Sequence, residues 1–116
     1  MSTRLVDPHT ALVEAALLAL GQLPDVFVWK NATGAGRAMN NPDRLIRFGL
    51  FGSSDLFAIV GPRGRFLGLE GKTGNAVQQK NQKAFQRAVE AVGGVYVVFR
   101  SVDDALAGVE RARRLP

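Results

Sequence analysis

The stretch from Asp55 to Lys72 constrains the fold more than any other part of the chain. Two apolar runs, Leu56-Phe57-Ala58-Ile59-Val60 and Phe66-Leu67-Gly68-Leu69, flank Gly61-Pro62-Arg63-Gly64. Pro and Gly in that order set the backbone angles of a tight turn, so the pattern predicts a hairpin of strands Asp55 to Val60 and Arg65 to Lys72. Side chains alternate faces along a strand. Glu70 and Lys72 therefore share a face with Phe66 and Gly68, while Leu67 and Leu69 point the other way into apolar packing. Counting back through the turn sets Asp55 near Glu70, so two carboxylates and an ammonium converge at one sheet edge.

The surrounding segments supply the rest of an α/β domain. Asp7 as N-cap, Pro8 at the first helical position and Gly21 as a stop predict a helix over Pro8 to Leu20. Its apolar stripe is read as Leu12, Ala15, Ala16, Ala19 and Leu20, with Glu14 beside it. Asp25 to Asn31 reads as a strand, and Ala32 to Asp43, rich in Gly, Asn and Ala, as a loop. Arg44 to Leu50 reads as a further strand. A helix is expected from about Ala76 to Val92 on an apolar stripe of Val77, Ala84, Phe85, Ala88, Val89 and Val92. Gly93-Gly94 ends it, Val95 to Phe99 is a buried strand, and Ser101 caps a last helix with acids in its first turn and arginines at its far end. The order is α-β-β-β-β-α-β-α. It implies one sheet with helices packed on it, the long helix crossing from the hairpin to the last strand.

Length and composition narrow the function classes. A chain of 116 residues suits one domain, taken as 1–116, and 47% apolar content is enough for a core. No apolar run reaches the roughly 20 residues of a membrane helix, since Ala11 to Leu20 is broken by Glu14. A secretory pattern is absent and there is no cysteine, so thiolate metal sites are excluded and an intracellular setting is expected. The net charge of +5 is clustered. Lys72, Lys80, Lys83 and Arg87 lie between Glu70 and Glu90 with no acid among them, and Lys30, Arg37, Arg44, Arg47, Arg63 and Arg65 face only Asp43 and Asp55. Such clustering favours a polyanionic partner, although basic residues also simply solubilise a surface.

Chemistry gives the acidic edge a purpose. Phosphodiester hydrolysis needs a hard cation that neutralises charge and acidifies a bound water. Mg²⁺ takes one or two carboxylates and fills its octahedron with waters and phosphate, a role that fits Asp55 and Glu70, with the Gly71 carbonyl between the two motif residues. Lys72 can orient the nucleophilic water or stabilise charge developing on phosphorus. A glycine at 71 lets substrate approach the strand. The plainer alternative for Glu-x-Lys is a solvated ion pair worth under about 1 kcal/mol.

Gly52-Ser53-Ser54-Asp55-Leu56, Gly64 to Gly74 (GRFLGLEGKTG), Gln82-Lys83-Ala84-Phe85 and Gly93-Gly94 together resemble the VRR-NUC family of the PD-(D/E)xK nuclease superfamily, over roughly Trp29 to Asp104. The resemblance implies a restriction-endonuclease-like core with a mixed sheet flanked by helices. It implies a metal site at Asp55 and Glu70, a catalytic lysine at Lys72, a helical glutamine at Gln82 and a completing N-terminal glutamate, here Glu14. It also implies a Mg²⁺- or Mn²⁺-dependent endonuclease that cuts branched DNA such as Holliday junctions as a homodimer, of a kind often encoded by phages. Two departures are a Gly71 where the family often carries an apolar residue, and Ser54 in place of the superfamily's proline. The competing reading is a non-catalytic nucleic-acid-binding module or a subunit of a DNA repair assembly.

Other residues carry weaker signals. Gln82 is either a contact near Lys72 or an ordinary boundary glutamine, and Glu14 either a site carboxylate or a surface residue. Lys80, Lys83 and Arg87 would track a DNA backbone or form a solvated face; Asn31, Arg44 and Arg47 are candidate phosphate ligands. Phe27 and Trp29 are read as core, and the single histidine, His9, is expected to have no catalytic role.

Overall fold

The computed structural model describes residues 6–32 and 34–116, apart from the side chains of 34–38, 42 and 46–48. In chain order the elements are α1 (Pro8–Gly21), β1 (Val26–Lys30), β2 (Gly34–Ala38), β3 (Asn41–Phe48), β4 (Leu56–Val60), β5 (Arg65–Gly71), α2 (Lys80–Ala91), β6 (Val95–Phe99) and α3 (Val102–Arg114). The main sheet is mixed and runs β1-β4-β5-β6. β1, β4 and β5 are antiparallel in succession, and β6 lies parallel to β5, which α2 makes possible by crossing between them. The hairpin register pairs Leu56 with Leu69, so Asp55 falls beside Glu70 as the turn count requires.

One face of the sheet carries the core. Leu56, Ala58 and Val60 of β4, Leu67 and Leu69 of β5, and Val95 and Phe99 of β6 meet Val13, Ala16 and Leu20 of α1 and Ala105, Val109 and Ala112 of α3. Both helices begin as their sequences dictate. Asp7 accepts from the amides of His9 and Thr10, and Ser101 accepts from the amide of Asp104. The opposite face carries Phe57, Phe66 and Tyr96 under α2, whose Phe85 packs against both Phe57 and Tyr96.

Four expectations are corrected. The Gly-rich segment assigned to a loop contains β2, which pairs with β3 in a separate two-stranded ribbon, so the strands do not all join one sheet. Glycines at 34 and 36 leave that strand without an apolar alternation to mark it in the sequence. The second helix starts at Lys80 rather than Ala76, because Gln79 and Gln82 form a capping box there and Arg100 takes the carbonyls of Gly74 and Ala76. Val77 is consequently exposed, and so are Ala84, Ala88 and Val92; the inward face is Gln82, Phe85, Gln86 and Val89. Phe27 and Trp29 are not core either. They lie on edge strand β1 beyond the cover of α2, stacked on each other at 5.3 Å between ring centroids.

Candidate metal centre

The loop before Asp55 is built to hold that residue still. Gly52 adopts φ +88°, and a Cβ there would come within 2.7 Å of the Asn81 carbonyl oxygen at the start of α2, so only glycine fits. Asn31 Nδ2 donates to Ser53 Oγ (2.7 Å) and to the Ser54 carbonyl (2.9 Å), and the Asn31 amide donates to the Asp55 carbonyl (2.9 Å). The buried Ser54 hydroxyl donates to the Leu56 carbonyl and occupies the space that Gly68 leaves: a Cβ on residue 68 would lie 2.9 Å from Ser54 Oγ. Asn31 is thus a loop tether, with its amide protons engaged, and not the free phosphate ligand anticipated.

Asp55 and Glu70 meet at the ends of β4 and β5. Asp55 Oδ2 accepts from the Gly71 amide at 2.8 Å and lies 3.1 Å from His9 Nε2. Glu70 Oε1 accepts from Gln82 Nε2 at 3.0 Å and stands 3.9 Å from Lys72 Nζ. Gln82 Oε1 in turn accepts from the Gln79 amide, so one side chain both caps α2 and fixes the Glu70 carboxylate. Among the described residues, the buried polar or charged side chains are Ser54, Glu70 and Lys72, and all three stand here. Glu70 Oε2 is buried and accepts from no N–H or hydroxyl donor among the described residues. Burial, reinforced by the Asp55 charge and opposed by Lys72, pushes the Glu70 carboxyl up to about 8.

An orphaned buried oxygen on an acid beside a second acid is what a cation ligand looks like before the cation arrives. The donor set fits one. His9, Asp55 and Glu70 each offer a ligand atom, all within 4.8 Å of one another. A cleft of about 180 Å³ lined by His9, Thr10, Val13, Lys30, Asn31 and Asp55 opens beside them. A wider hollow of about 880 Å³ lies between α2, β6 and α3, but it holds no part of this cluster, and its Arg100 and Arg111 are engaged by backbone carbonyls and by Glu90.

Two site assignments change. Glu14 does not join the cluster; it is half-exposed and bound by Lys30 at 2.7 Å. The buried stripe of α1 runs Val13, Ala16, Leu20; it keeps Ala16 and Leu20 of the expected stripe but takes Val13 and leaves Ala15 exposed, and four residues back from Val13 it reaches His9. At 3.6 residues per turn Glu14 points about 140° away from His9. His9, discounted in the sequence, stands where the glutamate was expected. Gly71 is also not an opening for substrate. Its missing side chain faces the core, where a Cβ would lie 3.1 Å from Phe99 and 3.2 Å from Val13.

The basic candidates divide. Lys80, Lys83 and Arg87 are exposed and fall within about 60° of one another on α2, a single outward stripe. Arg44 is exposed on the ribbon and makes no part of the cluster; the Arg47 side chain lies outside the described residues. Arg63 donates to the Arg113 carbonyl, and Arg65 to the carbonyls of Gly93, Leu115 and Pro116, so both tie down the chain's end. No helix among the described residues is long and apolar enough to cross a membrane. A scan against protein-family models returns no match, and a search of curated proteins returns none either.

Proposed function

We propose that this chain is a divalent-metal-dependent endonuclease with a restriction-endonuclease-like core, acting on branched DNA as a homodimer. The observation that carries the reading is the pairing of a buried acid and a buried lysine, Glu70 and Lys72, with Asp55 alongside and one carboxylate oxygen left unpartnered. Folded chains rarely bury charges without a use for them.

Asp55 and Glu70 would hold the ion. When bound, it supplies charge neutralisation at phosphorus and a water acidified for attack. Gln82 holds Glu70 by Oε1 and leaves Oε2 without a donor among the described residues. The Gly71 amide fixes Asp55 through Oδ2, the oxygen that also faces His9. Lys72 Nζ, kept beside Glu70 and shielded from solvent, is placed to orient the attacking water and to stabilise negative charge as it grows on the phosphate. The outward stripe of Lys80, Lys83 and Arg87 suits a nucleic-acid backbone read by charge, as does the net charge of +5.

The test uses the full chain on supercoiled plasmid and on a labelled four-way junction. Cutting is expected with Mn²⁺ and none with EDTA. Lys72→Met should lower the rate by about 10²–10³-fold, the usual cost of removing one such electrostatic group. Tight junction binding with no cutting under any divalent metal would instead favour a binding module. Full activity in Lys72→Met would refute the assigned chemistry.

A further inference from the structure

We infer that His9 is a third protein ligand of the Asp55–Glu70 cation site, and that it makes the site select Mn²⁺ over Mg²⁺. The inference rests on the cation site used by the nuclease reading, but not on DNA being cut. Three observations carry it. His9 Nε2 lies 3.1 Å from Asp55 Oδ2 and within 4.8 Å of ligand atoms from both acids. Asp55 Oδ2 already accepts from the Gly71 amide, so it does not need the imidazole to be satisfied. Glu70 Oε2, on a side chain 5% exposed, accepts from no N–H or hydroxyl donor among the described residues. An ion placed among the three would satisfy that oxygen and turn the His9–Asp55 contact into two bonds to one centre.

The position of His9 is fixed by the fold. It sits in the first turn of α1, held from below by Asp7, which caps its amide, and it continues the buried stripe of Val13, Ala16 and Leu20. The cleft beside it leaves room for a ligand to reach the cluster from between α1 and β1.

Ligand chemistry then sets the metal. Mg²⁺ is satisfied by oxygen donors and waters and gains little from an imidazole. Imidazole nitrogen is a borderline donor that favours first-row transition ions, while carboxylates accept Mn²⁺ readily, so a mixed set of one nitrogen and two carboxylates ranks Mn²⁺ above Mg²⁺.

The chain holds a single histidine, so an imidazole signature on bound metal can come only from position 9 once any affinity tag is removed. Full-length protein buffered near pH 8, where free imidazole is neutral, is loaded with Mn²⁺ and measured by pulsed EPR. Nitrogen modulation from a coordinated imidazole is expected in the wild type and not in His9→Gln. Calorimetric titration should show Mn²⁺ binding at least about tenfold tighter than Mg²⁺, with His9→Gln losing about ten- to hundredfold for Mn²⁺ and changing little for Mg²⁺. No nitrogen modulation in the wild type overturns the inference, whether or not the variant folds. Equal loss for both metals overturns the selectivity. Imidazole-bound Mn²⁺ in a protein that never cuts DNA would sink the nuclease reading and leave the ligand assignment standing; Mn²⁺-dependent cutting with no nitrogen signature would do the reverse.

Discussion

Replacing Glu70 by Gln keeps the side chain's shape and its contact with Gln82 while removing a charge the fold holds at a cost. Burial and the Asp55 carboxylate raise its pKa from an ordinary 4.5 to about 8, with Lys72 pulling the other way. The folded chain therefore keeps a proton that the unfolded chain releases between those values. Stability from this group is complete below pH 4.5, and it is lost progressively as pH rises through about 8. Each pKa unit corresponds to about 1.4 kcal/mol. Reduced for relaxation of the fold around the ionised carboxylate, the loss across this window is on the order of 3 kcal/mol, or about 10 °C in Tm for a chain of this length. Thermal melts followed by circular dichroism after dialysis against EDTA, from pH 5 to 9, should show wild-type Tm falling relative to Glu70→Gln. Saturating Mn²⁺ at pH 8 should restore the wild type, because the ion takes the proton's place, and leave the variant unmoved. Parallel pH profiles for the two proteins would refute the reasoning, since both carry every other titrating group.

The remaining predictions concern the neighbours of that carboxylate. Gly71→Val should lower stability by about 1–3 kcal/mol in denaturant titrations, because the new side chain meets Phe99 and Val13; an unchanged midpoint would show that the core gives way there. Gln82→Ala should cost about 1 kcal/mol through the lost cap and also slow cutting, whereas a purely structural glutamine would change the melt alone. The double variant Glu70→Gln/Lys72→Met should fold at least as stably as the wild type yet neither bind Mn²⁺ nor cut DNA, since removing both members of a buried pair is often neutral or stabilising. A destabilised double variant would make the pair structural.

Much of the fold was legible because local and global signals agree in it. The Gly61 to Gly64 turn, the alternation through Leu67 and Leu69, and the caps at Asp7 and Ser101 each dictate an element that the tertiary structure keeps. What was not legible depends on partners outside the segment itself. β2 is a strand only because β3 pairs with it, and glycine-rich sequence gives no side-chain pattern to announce that. The start of α2 is set by Arg100, a residue from beyond β6, and by a glutamine pair that imitates the more familiar serine–glutamate cap. Phe27 is exposed on a strand that falls at the edge of the sheet, a placement no window around residue 27 contains.

The site divides along the same line. Asp55, Glu70 and Lys72 sit on one hairpin, so register alone brings them together and the spacing in sequence was enough. The third member of the His9–Asp55–Glu70 cluster comes from a separate helix, and its identity depends on how that helix is rotated about its axis. One rotation buries Val13 with Ala16 and carries His9 inward, about 20° from Ala16 around the helix; another buries Ala15 and leaves His9 about 120° from it. Both are acceptable on hydrophobicity, because α1 is apolar on nearly every side. The decision is made by the sheet instead. Gly71 has no side chain, and the hollow it leaves admits Val13 against Phe99; seating Val13 there turns His9 towards Asp55 and sends Glu14 out to Lys30. The glycine between Glu70 and Lys72 is thus coupled through core packing to which side chain of α1 stands beside Asp55.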